Sequence, residues 1–171
     1  MKTFNPFQPK GKRVSLRGIP ATPTKGTYLI SLSAKEDARP FGSNRGRTPI
    51  LNERGKALKA CWLEFGKFLP GIRPDEVQVT SRRLEGILSI DAEEADAPSL
   101  SETVRLFKVL SSLRLAQIGK STASPDGGTY ASIPVLRGKS AAPLWKKGFA
   151  ERALGGESDL AAARKILRGG P

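Results

Sequence analysis

The sequence contains no histidine and a single cysteine, Cys61, among its 171 residues. These absences exclude an intrachain disulfide, a zinc site built on cysteines, and a cysteine nucleophile activated by histidine. The chain also lacks an apolar run long enough to span a membrane, and MKTFNPFQPKGKR at its start lacks the apolar core of a signal peptide. We therefore expect a cytoplasmic protein without a membrane partner, in which Cys61 is a small buried side chain.

Acidic residues are scarce relative to basic ones. Lysine and arginine number 29 against 16 aspartates and glutamates, which gives a net charge of +13. This imbalance favours polyanionic partners, because contacts to phosphates release counterions. Nucleic acid is the expected partner, and the alternative is a generic solubilising charge or attraction to ribosomes and membranes.

The length of the chain allows one substantial core but not two ordinary domains. Residues 1–26 hold four prolines and six basic residues but no acid, which predicts an extended basic arm. Residues 27–171 are predicted to form one domain. It contains a flexible loop at about 119–143, where glycine, serine, proline and threonine dominate.

Apolar periodicity predicts the order β, α, β, β, α, β, α within that domain. The predicted strands are 27–33, which should be half buried, and 76–80, 84–90 and 149–154. Helices are predicted from Leu51 to about 70, from a cap at Ser99 or Ser101 to about 118, and from a cap near Ser158 to Gly169. The order indicates an α+β fold, with helices packed on one face of a ferredoxin-like antiparallel sheet.

Helical spacing also predicts which side chains face the core. Trp62 lies on the apolar face of the first helix, so we expect it to be buried rather than to stack on a base. Tyr28 is expected to pack in or on the sheet. The apolar stripe of the second helix consists of Val104, Leu106, Phe107, Leu110, Leu113 and Leu115.

Five segments in order resemble a known family. They are TYLISLS, KACWLEFGKFLPGIRPDEV, VQVTSRRLEGILSI, SLSETVRLFKVLSSLRL and PLWKKGFAERALGGESDLAAARKILRGGP. Across roughly residues 27–171 the chain resembles the REP-associated tyrosine transposases, which are single-strand transposases of the HUH type. The resemblance implies their fold and an ability to recognise hairpin and adjacent single-stranded DNA.

In that family a hairpin strand carries a phrase like MPNHxHG, whose two histidines hold a divalent metal. Here the phrase is TSRRLEG. With Gly86 in the place of the family glycine, Arg83 stands where the first histidine belongs and Glu85 where the second belongs. Arginine cannot coordinate a metal and repels a divalent ion, so we expect no metal site and no cofactor.

The family's nucleophilic tyrosine lies in a phrase resembling W-Q-x-x-[YF]-Y-[DE]-H. In WKKGFAER the corresponding position is Ala150, which cannot form a phosphotyrosine link. The resemblance therefore implies a transposase fold whose catalytic positions, Arg83, Glu85 and Ala150, are degenerate, and we expect the protein not to be an enzyme.

Three interpretations of Arg83 and Glu85 remain open. The two side chains share a strand face, so they can pair with each other, or Arg83 can hold a DNA phosphate. They can also be an ordinary surface charge pair. The residues expected to contact nucleic acid are Arg45, Arg47, Arg82, Arg83, Arg105, Lys108, Lys146 and Lys147.

Three functions follow from these observations. The first is a catalytically inactive, transposase-derived protein that binds hairpin or single-stranded DNA in a structural or regulatory role. The second is a protein-interaction scaffold on the same fold. The third, and the least favoured, is a residual metal-dependent nuclease that uses Glu85, Asp75, Glu76 or Asp91 around a metal.

Overall fold

A computed structural model describes residues 25–35, 39–91, 98–118 and 144–169. The predicted arm at 1–26, apart from its last two residues, and the predicted loop at 119–143 lie outside the described residues. The elements are β1 (Gly26–Ser33), β2 (Gly42–Arg45), β3 (Thr48–Leu51), α1 (Glu53–Phe65) with a 3-10 turn (Gly66–Phe68), β4 (Ile72–Val79), β5 (Arg83–Ile90), α2 (Leu100–Ile118), β6 (Ala150–Leu154) and α3 (Glu157–Leu167).

The main sheet has the strand order β4–β5–β1–β6, and each pair of neighbours is antiparallel. The succession β1, α1, β4, β5, α2, β6 is the βαββαβ unit of ferredoxin-like folds. Apolar side chains of α1 and α2 form one core with the same face of this sheet. The predicted α+β ferredoxin-like fold is confirmed.

The core beneath α1 and α2 is organised around Trp62, which is 1% exposed. Its ring meets the Phe107 ring edge-on, with 5.0 Å between centroids. A Cβ atom on Gly86 would lie 2.6 Å from the Trp62 ring, so only glycine fits at that place in β5. Trp62 and Cys61 are both buried as predicted, Tyr28 packs against the same core, and burial raises the pKa of the Cys61 thiol.

The third helix covers the opposite face of the sheet, so the prediction of helices on one face holds for α1 and α2 but not for α3. Its side chains Leu160, Ala163 and Leu167 pack against an apolar cluster of Leu29, Ile87 and Leu154. Because both faces of β1 are covered, the four consecutive residues Leu29–Leu32 are buried, and the prediction of a half-buried first strand is wrong.

Helix α2 begins at the predicted Ser99 cap. The Glu102 N–H donates to Ser99 Oγ at 3.3 Å and the Ser99 N–H donates to Glu102 Oε2 at 3.0 Å, a reciprocal capping box. These bonds favour the ionised carboxylate, so they lower the pKa of Glu102. Of the two serines predicted as caps, the structure therefore uses Ser99 rather than Ser101.

The buried stripe of α2 differs from the prediction. Leu110 and Leu113 are 43% and 46% exposed, whereas Thr103 and Ser111 are buried. The two polar side chains can be buried because each has a hydrogen-bond partner: Thr103 Oγ1 donates to the Ser99 carbonyl, and Ser111 Oγ accepts from Trp145.

Three boundaries also differ from the sequence prediction. The β2–β3 hairpin, which turns at Gly46 with φ of 61°, lies where no element was predicted, and its last residue, Leu51, was predicted to begin the first helix. The strand predicted at 76–80 begins earlier, at Ile72, as β4. Because β4 is an edge strand, it can include Pro74, which lies at a register irregularity. Helix α3 is capped at Gly156 rather than near Ser158, and Asp159 accepts from the Gly155 N–H at 3.1 Å.

Candidate nucleic-acid interface

The three positions that the sequence resemblance matches to catalytic residues, Arg83, Glu85 and Ala150, lie close together on the sheet. Ser31 in β1 is opposite both Glu85 in β5 and Ala150 in β6, so these residues form one row across three strands. Arg83 is opposite Ser33 in the next row towards the β4–β5 turn. Because side chains alternate along a strand, these positions share the sheet face on which α3 packs. Their proximity depends on strand register, and sequence reasoning did not identify Ser31 as the residue between them.

Arg83 and Glu85 form an ion pair, with 3.4 Å between Arg83 Nη1 and Glu85 Oε1. The Glu85 side chain is only 15% exposed, whereas that of Arg83 is 51% exposed. Burial raises the pKa of Glu85, and the neighbouring Arg83 charge offsets part of that effect. Arg83 and Glu85 therefore pair with each other in the structure, as one of the interpretations from sequence allowed.

Four exposed basic residues meet at the adjoining end of the sheet. Arg82 and Arg83 come from the β4–β5 turn, and Lys146 and Lys147 come from the segment before β6. We call these four residues the sheet-end basic cluster. The end of β1 joins its two halves, because the Ala34 N–H donates to the Arg82 carbonyl at 2.8 Å and the Lys146 N–H donates to the Ser33 carbonyl at 2.9 Å.

Trp145 anchors the lysine half of this cluster. It is 5% exposed, and its indole N–H donates to Ser111 Oγ at 3.0 Å. Its ring also packs on Phe41, with 5.4 Å between centroids. The backbone at 144–146 pairs with the end of β1, where the Lys35 N–H donates to the Leu144 carbonyl at 2.8 Å. Lys35 is exposed beside the cluster and was missed by the sequence prediction.

Lys108 has an internal role in the structure. Its ammonium group donates to the carbonyls of Lys146 and Gly148, at 2.9 Å and 2.5 Å. Partial burial lowers the pKa of Lys108. Its charge thus holds the turn that presents Lys146 and Lys147, while Arg105, about one helical turn earlier on α2, is exposed.

Arg45 and Arg47 lie on either side of Gly46 at the tip of the β2–β3 hairpin, and both are exposed. The base of the hairpin is attached to the β4–β5 turn, because the Phe41 N–H donates to the Ser81 carbonyl at 3.2 Å. The hairpin therefore projects from the end of the sheet that carries the basic cluster.

The carboxylates considered for a nuclease are engaged elsewhere. Asp75 pairs with Arg164 and Glu76 pairs with Arg168, which ties α3 to β4. Asp91 pairs with Arg73, with 3.7 Å between Asp91 Oδ2 and Arg73 Nη2. Among the described residues there is no group of three or more histidine, cysteine, aspartate or glutamate side chains that could hold a metal ion.

Comparison with solved structures identifies the fold. The REP-associated tyrosine transposase bound to a REP hairpin superposes with a TM-score of 0.52 at 12% identity, over 89% of this chain and 70% of that one. A putative transposase from Deinococcus radiodurans gives 0.50 at 12% identity, over 90% of this chain and 97% of that one. This chain has a transposase-like fold.

Sequence comparison does not identify a family for this chain. No known family profile matches the chain. An uncharacterised protein of Haemophilus influenzae is 31% identical over 67 residues, which cover 39% of this chain and 37% of that protein. The chain therefore spans little more than a third of this relative. In the described part of the chain, no helix is long and apolar enough to cross a membrane.

Proposed function

We propose that this protein is a catalytically inactive, transposase-derived nucleic-acid-binding protein whose ligand is hairpin or single-stranded DNA. The observation that carries the proposal is the meeting of Arg82, Arg83, Lys146 and Lys147 at one end of a transposase-like sheet, next to the row Glu85–Ser31–Ala150. The cluster supplies cations for phosphates, and the position that the resemblance matches to the nucleophilic tyrosine carries only the methyl group of Ala150.

Two further observations support this function. The solved transposase with the same fold is bound to a REP hairpin, so the fold is able to present a surface to DNA. The net charge of +13 adds a long-range attraction for polyanions. Loss of catalysis rests on chemistry: a guanidinium at position 83 does not coordinate metal, and a methyl group at position 150 does not act as a nucleophile.

Binding is tested by fluorescence anisotropy with labelled hairpin, single-stranded and duplex DNA over a series of salt concentrations. We expect the logarithm of affinity to fall steeply with the logarithm of salt concentration. The double variant Lys146→Ala/Lys147→Ala should make this negative slope shallower by roughly one to two. Lys59→Ala on α1, which also removes an exposed lysine, is the control and should affect binding less. Absence of DNA affinity at physiological salt would refute the proposal.

Inactivity is tested with the same hairpin in the presence of Mg²⁺ or Mn²⁺. We expect no strand cleavage and no covalent protein–DNA product. Cleavage that disappears in Glu85→Ala would instead establish the residual nuclease.

A protein-interaction scaffold is the second candidate function. The exposed apolar side chains Val109, Leu110 and Leu113 on α2 favour it, because clustered apolar groups on a surface often mark contacts with other proteins. This candidate would gain weight if the protein failed to bind every DNA tested.

A further inference from the structure

The sheet face that carries the degenerate row is divided into an apolar part and a polar part. Helix α3 covers the apolar part at Leu29, Ile87 and Leu154. Towards the β4–β5 turn, the polar part consists of cross-strand neighbours with short or polar side chains: Gln78, Glu85, Ser31, Ala150, Arg83 and Ser33. The three residues of β1 and β6 in this set are two serines and an alanine, so no large side chain rises from those strands there.

Glu85 gives this polar part a charge opposite to that of its surroundings. The sheet-end basic cluster lies beside it, with Lys146 hydrogen-bonded through its backbone to Ser33. A phosphate placed against Glu85 would be repelled by a half-buried carboxylate, whereas phosphates outside it would meet the cluster. The electrostatics therefore orient a nucleic-acid strand with its backbone on the basic cluster and a base towards Glu85.

Within the part of the chain that the structure describes, the hydrogen bonding of the Glu85 carboxylate is incomplete. Arg83 approaches Oε1 at 3.4 Å, and among the described residues no hydrogen-bond donor reaches Oε2. An ionised carboxylate accepts strongly from amino groups. Cytosine and adenine carry an exocyclic amino group, whereas thymine has the carbonyl oxygen O4 at the corresponding place, which the carboxylate repels, and offers only its N3–H as a donor.

We propose that Glu85 is a specificity-determining residue that selects bases with an exocyclic amino group over thymine. This inference rests on the proposed function, because it requires a nucleic-acid strand on the sheet-end basic cluster. It assigns Glu85, which stands where the transposase resemblance places a metal ligand, a role in reading a base.

The test measures binding of oligo(dC), oligo(dA) and oligo(dT) of about a dozen nucleotides, a length that covers a single binding site. The protein should bind oligo(dC) and oligo(dA) roughly tenfold more tightly than oligo(dT), since a hydrogen bond to a charged group contributes about that factor. In Glu85→Ala the preference should disappear, while the affinity for oligo(dT) stays the same or rises.

Two further variants make the result specific. Glu85→Gln keeps the shape of the side chain without its charge and should weaken the preference, which separates base reading from loss of folding. Glu64→Gln removes the same charge from α1, on the other side of the sheet, and should leave the preference intact. Equal binding of all three oligonucleotides by the unmodified protein, or a preference that survives in Glu85→Ala, would overturn the inference and leave the proposed function standing. Failure to bind any oligonucleotide would overturn both.

Discussion

Replacing Gly86 by alanine tests the central packing of the fold. The added Cβ would lie 2.6 Å from two carbon atoms of the Trp62 ring, which is closer than carbon atoms approach in proteins. The indole cannot move away easily, because it is 1% exposed and its ring meets Phe107 edge-on. A shift of roughly 1 Å in β5 or α1 is therefore required before normal contact distances are restored.

Overpacking of this kind costs about 1–3 kcal/mol. The lower entropy of the unfolded chain with alanine offsets about 0.4–1 kcal/mol. We expect Gly86→Ala to lower the free energy of unfolding by about 1–2 kcal/mol and the melting temperature by roughly 2–8 °C. Urea denaturation followed by far-UV circular dichroism measures the first quantity, and thermal melts measure the second.

Two variants complete this experiment. Gly155→Ala is the matched control, because the nearest atom to its new Cβ is the flexible Asp159 carboxylate at 3.5 Å, and it should change stability little. Trp62→Phe provides the space that Gly86→Ala needs, so the double variant should be more stable than the sum of the two single effects predicts. Additive effects, or equal stability of Gly86→Ala and Gly155→Ala, would refute the packing explanation.

Two other predictions concern the site. The raised pKa of Glu85 means that the folded protein binds a proton there more readily than the unfolded chain does. The free energy of unfolding, compared with that of Glu85→Gln, should therefore rise as the pH falls through the folded pKa. It should level off below the ordinary pKa of glutamate. Urea titrations of both proteins across that range check the sign, and a constant difference would contradict it. Lys108→Met should weaken DNA binding severalfold without changing its salt slope, because Lys108 holds the Lys146–Gly148 turn rather than a phosphate. A slope reduced by about one would make Lys108 a direct phosphate contact.

The elements that sequence predicted well are those encoded by neighbours along the chain. The strand predicted at 84–90 and the helix cap predicted at Ser99 or Ser101 each depend on residues within a few positions, and the structure has β5 at Arg83–Ile90 and a cap at Ser99. The errors come from partners that are distant in sequence. Leu29 is buried because α3 returns to the sheet, and Ser111 is buried because it accepts a bond from Trp145, 34 residues away.

The candidate site shows the same division. Arg83 and Glu85 could be assigned to one strand face from their spacing alone, and their ion pair agrees with one of the interpretations of that spacing. The row that joins Glu85 to Ala150 through Ser31 depends on strand register, which no local pattern specifies. The contact of Lys108 with the 146–148 turn likewise spans 38 to 40 residues, so local patterns do not reveal it and Lys108 was predicted to contact nucleic acid.

Under the proposed function, the replacement at position 83 changes how positive charge is delivered. A metal bound by histidines contributes charge only while it is held, and it also polarises the phosphate that it contacts. A guanidinium contributes permanent charge and hydrogen bonds, but it neither carries a metal-bound water nor replaces the nucleophile that Ala150 lacks. Phosphate binding sums over several weak contacts, whereas cleavage requires a few groups in one geometry. Substitutions at Arg83, Glu85 and Ala150 can therefore remove cutting while the sheet-end basic cluster continues to hold DNA.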